Sequence, residues 1–262
     1  MVRPPRSAAP ARSRVQHILS VIAALILLAA LAAGATVVLA GLGYRLGWWD
    51  FRTGFGVLRW GAHAAFGVAL GAALAALAAL ALGPRRTLAL LLPALLVAGL
   101  ATGLPWAQLM RARAAPPIHD ISTDTENPPP FVDVLPLRAG APNPAAYGGP
   151  EVAFQQRHVY PDLKPRLFAQ PPGALFPVAL EAARGMGWEV VAAVPAEGRI
   201  EATATTLWFG FKDDVVVRIM AHEEGSRLDV RSVSRVGRGD LGANARRIRA
   251  YLDALPESQP VH

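Results

Sequence analysis

Three stretches of this chain are free of charge and long enough to cross a bilayer, and they decide where nearly half of the molecule can reside. Residues 18–43 contain two hydroxyls, Ser20 and Thr36, and no ionisable side chain. At about 1.5 Å per helical residue, such a run exceeds the roughly 30 Å of bilayer hydrocarbon. Residues 64–83 suit that thickness, and residues 88–104 follow the turn Gly83-Pro84-Arg85-Arg86-Thr87. In lipid a lone segment pairs all of its backbone groups only as a helix. The reading is a three-span α-helical region over residues 18–110, preceded by a cytoplasmic basic tail, residues 1–17. Arg3, Arg6, Arg12 and Arg14 resemble the start of a secretory signal, but the apolar run behind them is longer than such signals use, which favours a retained span.

The formal charge of +7 invites a nucleic-acid reading until the charge is located. Residues 1–114 hold eleven arginines against Asp50 alone, net +10, whereas residues 115–262 hold fifteen Lys and Arg against eighteen Asp and Glu, net −3. Phosphate-backbone binding depends on clustered cations that release counterions, so the second half lacks its footprint and no nucleic-acid partner is expected. The arginine-rich tail and the Pro-Arg-Arg turn are typical of cytoplasmic segments, which puts residues 111–262 on the periplasmic side of an inner membrane. Residues 44–60, with Trp48, Trp49, Phe51, Phe55 and Trp60, read as a loop bearing an aromatic belt at the outer headgroup level. Arginine outnumbers lysine 24 to 2, a bias read as that of a GC-rich bacterial genome. The absence of cysteine excludes disulfides, thiolate metal sites and cysteine nucleophiles.

Within the apolar runs the only ionisable residue is His63, at the edge of the second. Pumps and transporters need polar carriers near the midplane, so transport is disfavoured. Gly67-x-x-x-Gly71 and Gly99-x-x-x-Gly103 offer small faces for packing inside the bundle, and Pro93 predicts a kink or local unwinding of the third span.

Residues 111–172 read as a Pro-rich linker and wrapping segment. Prolines 116, 117, 128, 129 and 130 forbid a continuous helix, and residues 136–172 continue as irregular chain through six more, from Pro142 to Pro171. Apolar anchors at Ile118, Ile121, Phe131, Val132, Leu135, Tyr147, Phe154, Tyr160 and Leu163 suit a segment wrapped over a core. Residues 173–256 are regular. Leu175, Ala179, Ala182 and Met186 recur at helical spacing before the stop at Gly187. Four strand-like runs follow, 188–194, 199–208, 214–222 and 227–234, with joints short enough for antiparallel hairpins. Ile200, Ala202 and Ala204 oppose Glu201, Thr203 and Thr205, so the sheet has one apolar and one polar face. A final helix, 241–255, starts after the N-cap candidate Asp240 and carries Leu241, Ala245, Ile248, Leu252 and Leu255 on one stripe. The fold class is a three-span α-helical membrane region plus an α+β extramembrane domain, an antiparallel four-stranded meander flanked by two helices in helix-grip-like order.

Three separated stretches carry a family likeness. They are Ile118-His-Asp-Ile-Ser-Thr-Asp124 with Asn127-Pro-Pro-x-Phe131, then Ile200-Glu-Ala-Thr-Ala204 with Phe211-x-Asp213-Asp214, and finally the run from Val230 to Ile248. Together, over roughly residues 116–256, they resemble a bacterial family catalogued as domain of unknown function 1499. The resemblance implies an envelope-associated domain often fused to membrane spans. It transfers no activity, cofactor or catalytic residue.

Two clusters are candidate sites. His119, Asp120 and Asp124 join an imidazole to carboxylates, a set suited to general base chemistry or, with a third position such as His158 or His222, to a divalent metal. The same acids also suit turn-type hydrogen bonds that satisfy a proline-rich loop. Arg235, Arg238, Asp240 and Asn244 lie in or beside a glycine-rich turn that opens the last helix, where backbone N–H groups and arginines could hold an anion or a partner. Residues 227–249 hold seven arginines and two aspartates, net +5, against −8 for the rest of the extramembrane half. Trp208, Phe209 and Phe211 break the strand alternation at a junction and suit core, a rim pocket or a partner surface, of which core is the commonest. No nucleotide-binding, dinucleotide-binding or zinc-protease motif is present. The expectation is a membrane-anchored envelope protein whose periplasmic domain binds an envelope component, protein partner or anionic lipid headgroup without catalysis, cofactor or metal. The alternative is a hydrolase or metal-dependent enzyme using His119, Asp120 and Asp124.

Overall fold

The computed structural model describes residues 9–82, 85–223 and 225–256. The first part of the basic tail, with Arg3 and Arg6, and Gly83-Pro84 of the predicted turn lie outside the described residues. The chain divides into two compact units, residues 1–109 and 110–262, each described by itself.

The first unit is built from α1 (Ala9–Arg45), α2 (Phe51–Leu82) and α3, Arg85–Ala114, which runs on past the unit boundary. All three helices are long and apolar enough to cross a membrane. Their burial pattern is the reverse of a soluble bundle. Ala23, Ala30, Ala72, Ala79, Ala94 and Ala98 are buried with Leu91, while Leu25, Leu28, Leu74, Leu77, Leu92 and Leu96 face outward. Small residues let helices approach closely, and outward leucines suit lipid, which makes the protein a membrane protein.

Two expectations need correction here. Residues 51–60 are helix and not loop, because the Asp50 carboxylate accepts the N–H groups of Arg52 at 2.7 Å and Thr53 at 3.0 Å and so starts α2 early. The close helix contacts are not at Gly67, Gly71, Gly99 and Gly103, where an added Cβ would meet nothing. They are at Gly34, against Val97 at 3.0 Å, and Gly61, against Thr36 and Val37 at 3.1 Å. α3 is continuous through Pro93 and Pro105, so of the two outcomes expected at Pro93 local unwinding is excluded.

The second unit is an α+β domain around one antiparallel sheet. Its strands are β1 (Asp120–Ser122), β2 (Arg166–Phe168), β3 (Glu189–Val194), β4 (Arg199–Thr205), β5 (Lys212–His222) and β6 (Gly225–Ser234). The order is β1-β6-β5-β4-β3, with β2 also paired to β6. The sheet is therefore wider than four strands. β1 pairs with the Arg231–Val233 end of β6 and β2 with its Ser226–Leu228 end, so the two short strands share one edge. β4 stops at Thr205, because the N–H and Oγ1 of Thr206 each bond the Phe211 backbone at 2.8 Å and close a turn. Phe209 is buried there, stacked on Phe211.

Helices α4 (Gly149–Val159), α5 (Pro172–Gly185) and α6 (Ala243–Asp253) complete the unit. α5 and α6 cover the apolar sheet face through Leu175, Ala179, Ala183, Ala245, Ile248 and Leu252, packed on Ile200, Val217, Leu228 and Val230. α4 lies inside the segment expected to be irregular. Proline at its first turn, Pro150, is compatible with a helix, and no proline interrupts the residues that follow. Of the expected anchors, Ile118, Ile121, Phe131 and Leu163 are buried, whereas Val132, Leu135 and Phe154 are exposed.

Candidate functional site

The polar sheet face is also buried. Glu201, Asp214 and Asp229 are 0% exposed, and Thr203 and Arg231 3%. Residues 123–147, continuing from β1, form a strap that lies over this face, and its Phe131 and Val134 make a small apolar cluster with Val216 and Val233 of the sheet. Burying so many charges requires partners for each, and arginines supply them.

At the first end of the strap, Arg231 grips Asp120 with a two-pronged contact, Nε to Oδ1 at 2.9 Å and Nη2 to Oδ2 at 2.7 Å. The same guanidinium donates to the carbonyls of Pro129 at 3.1 Å and Ala145 at 2.7 Å, and lies 4.9 Å from the Phe131 ring centroid. Asp124 is equally engaged. Its Oδ1 accepts the N–H groups of Glu126 at 3.1 Å and Asn127 at 2.9 Å, and its Oδ2 accepts Arg218 at 3.1 Å and Arg227 at 2.6 Å. Asp229 stands between these two arginines and bonds both. His119 does not join the acids. Its Nδ1 lies 3.4 Å from the carbonyl oxygen of Arg238. His158 and His222 are exposed, on α4 and at the end of β5. Among the described residues no three His, Asp or Glu side chains are grouped to hold a metal.

The middle of the strap is held by Glu201 on β4. Its two oxygens accept the N–H groups of Val132 and Val134, each at 2.8 Å. Arg199 bridges Glu201 at 2.6 Å, Asp133 at 2.5 Å and Glu197 at 2.9 Å. Burial opposes the Arg199 charge, but these three acids outweigh it and hold its pKa above the ordinary value. At the far end, Asp214 takes both Arg138 at 3.1 Å and Arg235 at 2.7 Å.

The second predicted cluster divides by role. Arg235 is committed to Asp214, to Thr203 Oγ1 at 3.2 Å and to the Leu137 carbonyl at 2.8 Å. Asn244 is wholly buried, where its Oδ1 accepts Ser232 Oγ at 2.7 Å and its Nδ2 donates to the His119 carbonyl at 2.9 Å. Asp240 is not the N-cap as expected, since α6 starts at Ala243 with Gly242 in the left-handed region at the cap; its carboxylate instead lies two residues earlier and accepts the N–H groups of Gly242 at 2.8 Å and Asn244 at 2.6 Å. Burial pushes the Asp240 carboxyl up against the pull of those two N–H groups. Only Arg238 of the four is exposed.

Sequence reasoning missed Arg138, Arg199, Arg218, Arg227 and Arg231, which do most of the binding of the strap. Their signal is the alternation of Arg227, Asp229 and Arg231 on the face opposite Leu228 and Val230. Missed as well was an open cleft of about 320 Å³ at the start of α6, lined by Met186, Trp188, Ala204, Thr205, Arg246 and Arg247 among others.

A family model described as a protein of unknown function, DUF1499, matches residues 120–255. No curated protein and no solved structure matches the chain.

Proposed function

The chain belongs to the DUF1499 family of proteins of unknown function, and from that premise we propose that it is a membrane-anchored binding module of the bacterial envelope and not an enzyme. The α1 tail and the Arg85-Arg86 turn face the cytoplasm, and the α+β domain is periplasmic. The order helix, four consecutive strands, helix within that domain is the helix-grip arrangement, a scaffold that hosts many functions and assigns none. The domain recognises an envelope component, a protein partner or an anionic lipid headgroup through its basic end. There Arg238 and Arg246 are exposed, and Gly239 packs on Pro116 and Pro117, where the chain enters the domain from α3.

The observation that carries the non-catalytic reading is the engagement of both candidate acids. A general base or metal ligand needs a lone pair open to substrate. Asp120 is nearly inaccessible with both oxygens on Arg231, and Asp124 has both oxygens bonded. His119 is the one member of the cluster whose removal leaves the strap contacts intact, so it separates the two readings. Purified full-length protein and its His119→Ala variant should show equal, background hydrolysis of generic carboxyl and phosphate esters, with and without added zinc or magnesium. Turnover present in the wild type and lost in His119→Ala overturns the reading in favour of a hydrolase.

A further inference from the structure

The chain enters the α+β domain at the same end of the sheet as one hairpin turn. β1 begins at Asp120 opposite Val233, near the end of β6, and the Ser234 N–H donates to the His119 carbonyl at 2.9 Å. The Arg235 N–H donates in turn to the carbonyl of Lys212, which pairs with Thr205 where β4 ends. The β4–β5 turn, residues 206–211, therefore stands where the chain arrives from α3. The β3–β4 and β5–β6 turns close the opposite end, about 35 Å away along the eleven residues of β5.

The β4–β5 turn holds an apolar side chain outward. Leu207 is 90% exposed, more than the outward-facing Leu80 of α2 at 70%. Behind it Trp208 is half-buried and meets the buried Phe209 edge-on, and Phe209 stacks on Phe211, each pair 5.2 Å between ring centroids. Three exposed cations share this end. Lys212 opens β5, and the Arg238 carbonyl lies 3.4 Å from His119 Nδ1. Arg246 is in the first turn of α6, whose Asn244 donates to the His119 carbonyl at 2.9 Å. Of the acids here, Asp213 is held by Arg247, Asp240 accepts N–H groups at the start of α6, and Glu189 is exposed on β3 opposite Thr203. The opposite end exposes Glu197 and Glu223 in its turns.

An exposed leucine beside tryptophan and cations matches a bilayer surface, where apolar tips enter the boundary between headgroups and acyl chains and cations meet lipid phosphates. The tether favours that partner over a soluble one. Six peptide steps link Ala114 of α3 to Asp120, roughly 20 Å of extended chain. A surface tied so closely to a bilayer meets lipid at high effective concentration. We propose that this end of the domain docks on the bilayer that anchors the chain, with Leu207 and Trp208 inserted at the acyl boundary and Lys212, Arg238 and Arg246 on anionic phospholipid headgroups. The proposal rests on the membrane-anchored binding-module reading and selects lipid among its ligands.

Because the chain lacks cysteine, Leu207→Cys gives full-length protein a single site for a nitrobenzoxadiazole label, studied in phosphatidylcholine nanodiscs containing about a third phosphatidylglycerol. Doxyl groups on the acyl chains should quench this label at least about threefold more than the same label on Ala196→Cys in the β3–β4 turn. Arg238→Glu combined with Leu207→Cys should weaken docking about fivefold, the weight of one cation at an anionic surface, and pure phosphatidylcholine should weaken it further. Equal quenching at the two positions, or quenching indifferent to both Arg238→Glu and the loss of phosphatidylglycerol, would overturn the proposal. So would shielding of the label at position 207 from aqueous iodide without doxyl quenching, which would put protein and not lipid over the tip. None of these results removes the binding-module reading, which falls only with His119-dependent turnover.

Discussion

Asp124 divides its two oxygens between two tasks, and that division predicts how its variants differ. Oδ1 organises the turn at Glu126 and Asn127, a task that an amide oxygen can perform. Oδ2 neutralises Arg218 and Arg227, a task that needs charge. Asp124→Asn should therefore cost roughly 1–2 kcal/mol and Asp124→Ala about 1 kcal/mol more, read from denaturant midpoints of the full-length protein. An Asn variant as stable as wild type would show that the ion pairs contribute nothing. Tyr147 gives a second residue-scale test. Burial, helped by the Asp120 charge, pushes its phenol up to about 12, and its hydroxyl has no hydrogen-bond partner among the described residues. The folded phenol holds its proton more tightly than the unfolded one. Its contribution is complete below pH 10.0 and is lost as pH rises toward about 12. Tyr147→Phe should reduce the loss of stability across that window and leave neutral-pH stability unchanged or higher. An identical alkaline transition in the variant would remove Tyr147 from the account.

At the scale of elements, the strap is tied to the sheet in the middle by Glu201. Glu201→Ala should speed hydrogen exchange at the amides of Val132 and Val134, while amides in the β5–β6 ladder keep their protection. Unchanged exchange at both valines would mean that Glu201 does not hold the middle of the strap. What could be read from sequence follows the length of each pattern. α5 and α6 repeat an apolar stripe over several turns, and β4 and β6 alternate long enough to expose their period. β1 and β2 are three residues each, too short to alternate. α4 hides among prolines, although Pro150 suits a helix start. The candidate acids drew attention as neighbours in sequence, but the arginines that define their role are on β5 and β6, about a hundred residues away. Alternation reveals that a strand has a polar face and says nothing about what covers it. Here a charged strap covers it, so the Glu201, Asp214 and Asp229 face is interior.

At the scale of the whole molecule, the two units bury opposite chemistries. The helical unit turns alanine inward and leucine outward, as lipid requires, while the α+β unit buries an apolar core on one sheet face and an arginine–carboxylate lattice on the other. Such a division makes sense for a domain held at a membrane and exposed to the aqueous side, and the orientation of that membrane decides whether its partners belong to the envelope. The absence of cysteine makes the orientation directly measurable. Single cysteines introduced as Ser13→Cys, before the first span, and Ala254→Cys, at the end of α6, can be labelled with a membrane-impermeant maleimide in cells whose inner membrane is intact. The account predicts labelling of Ala254→Cys before lysis and of Ser13→Cys only after it; the reverse pattern would contradict the periplasmic placement and the envelope-binding role together.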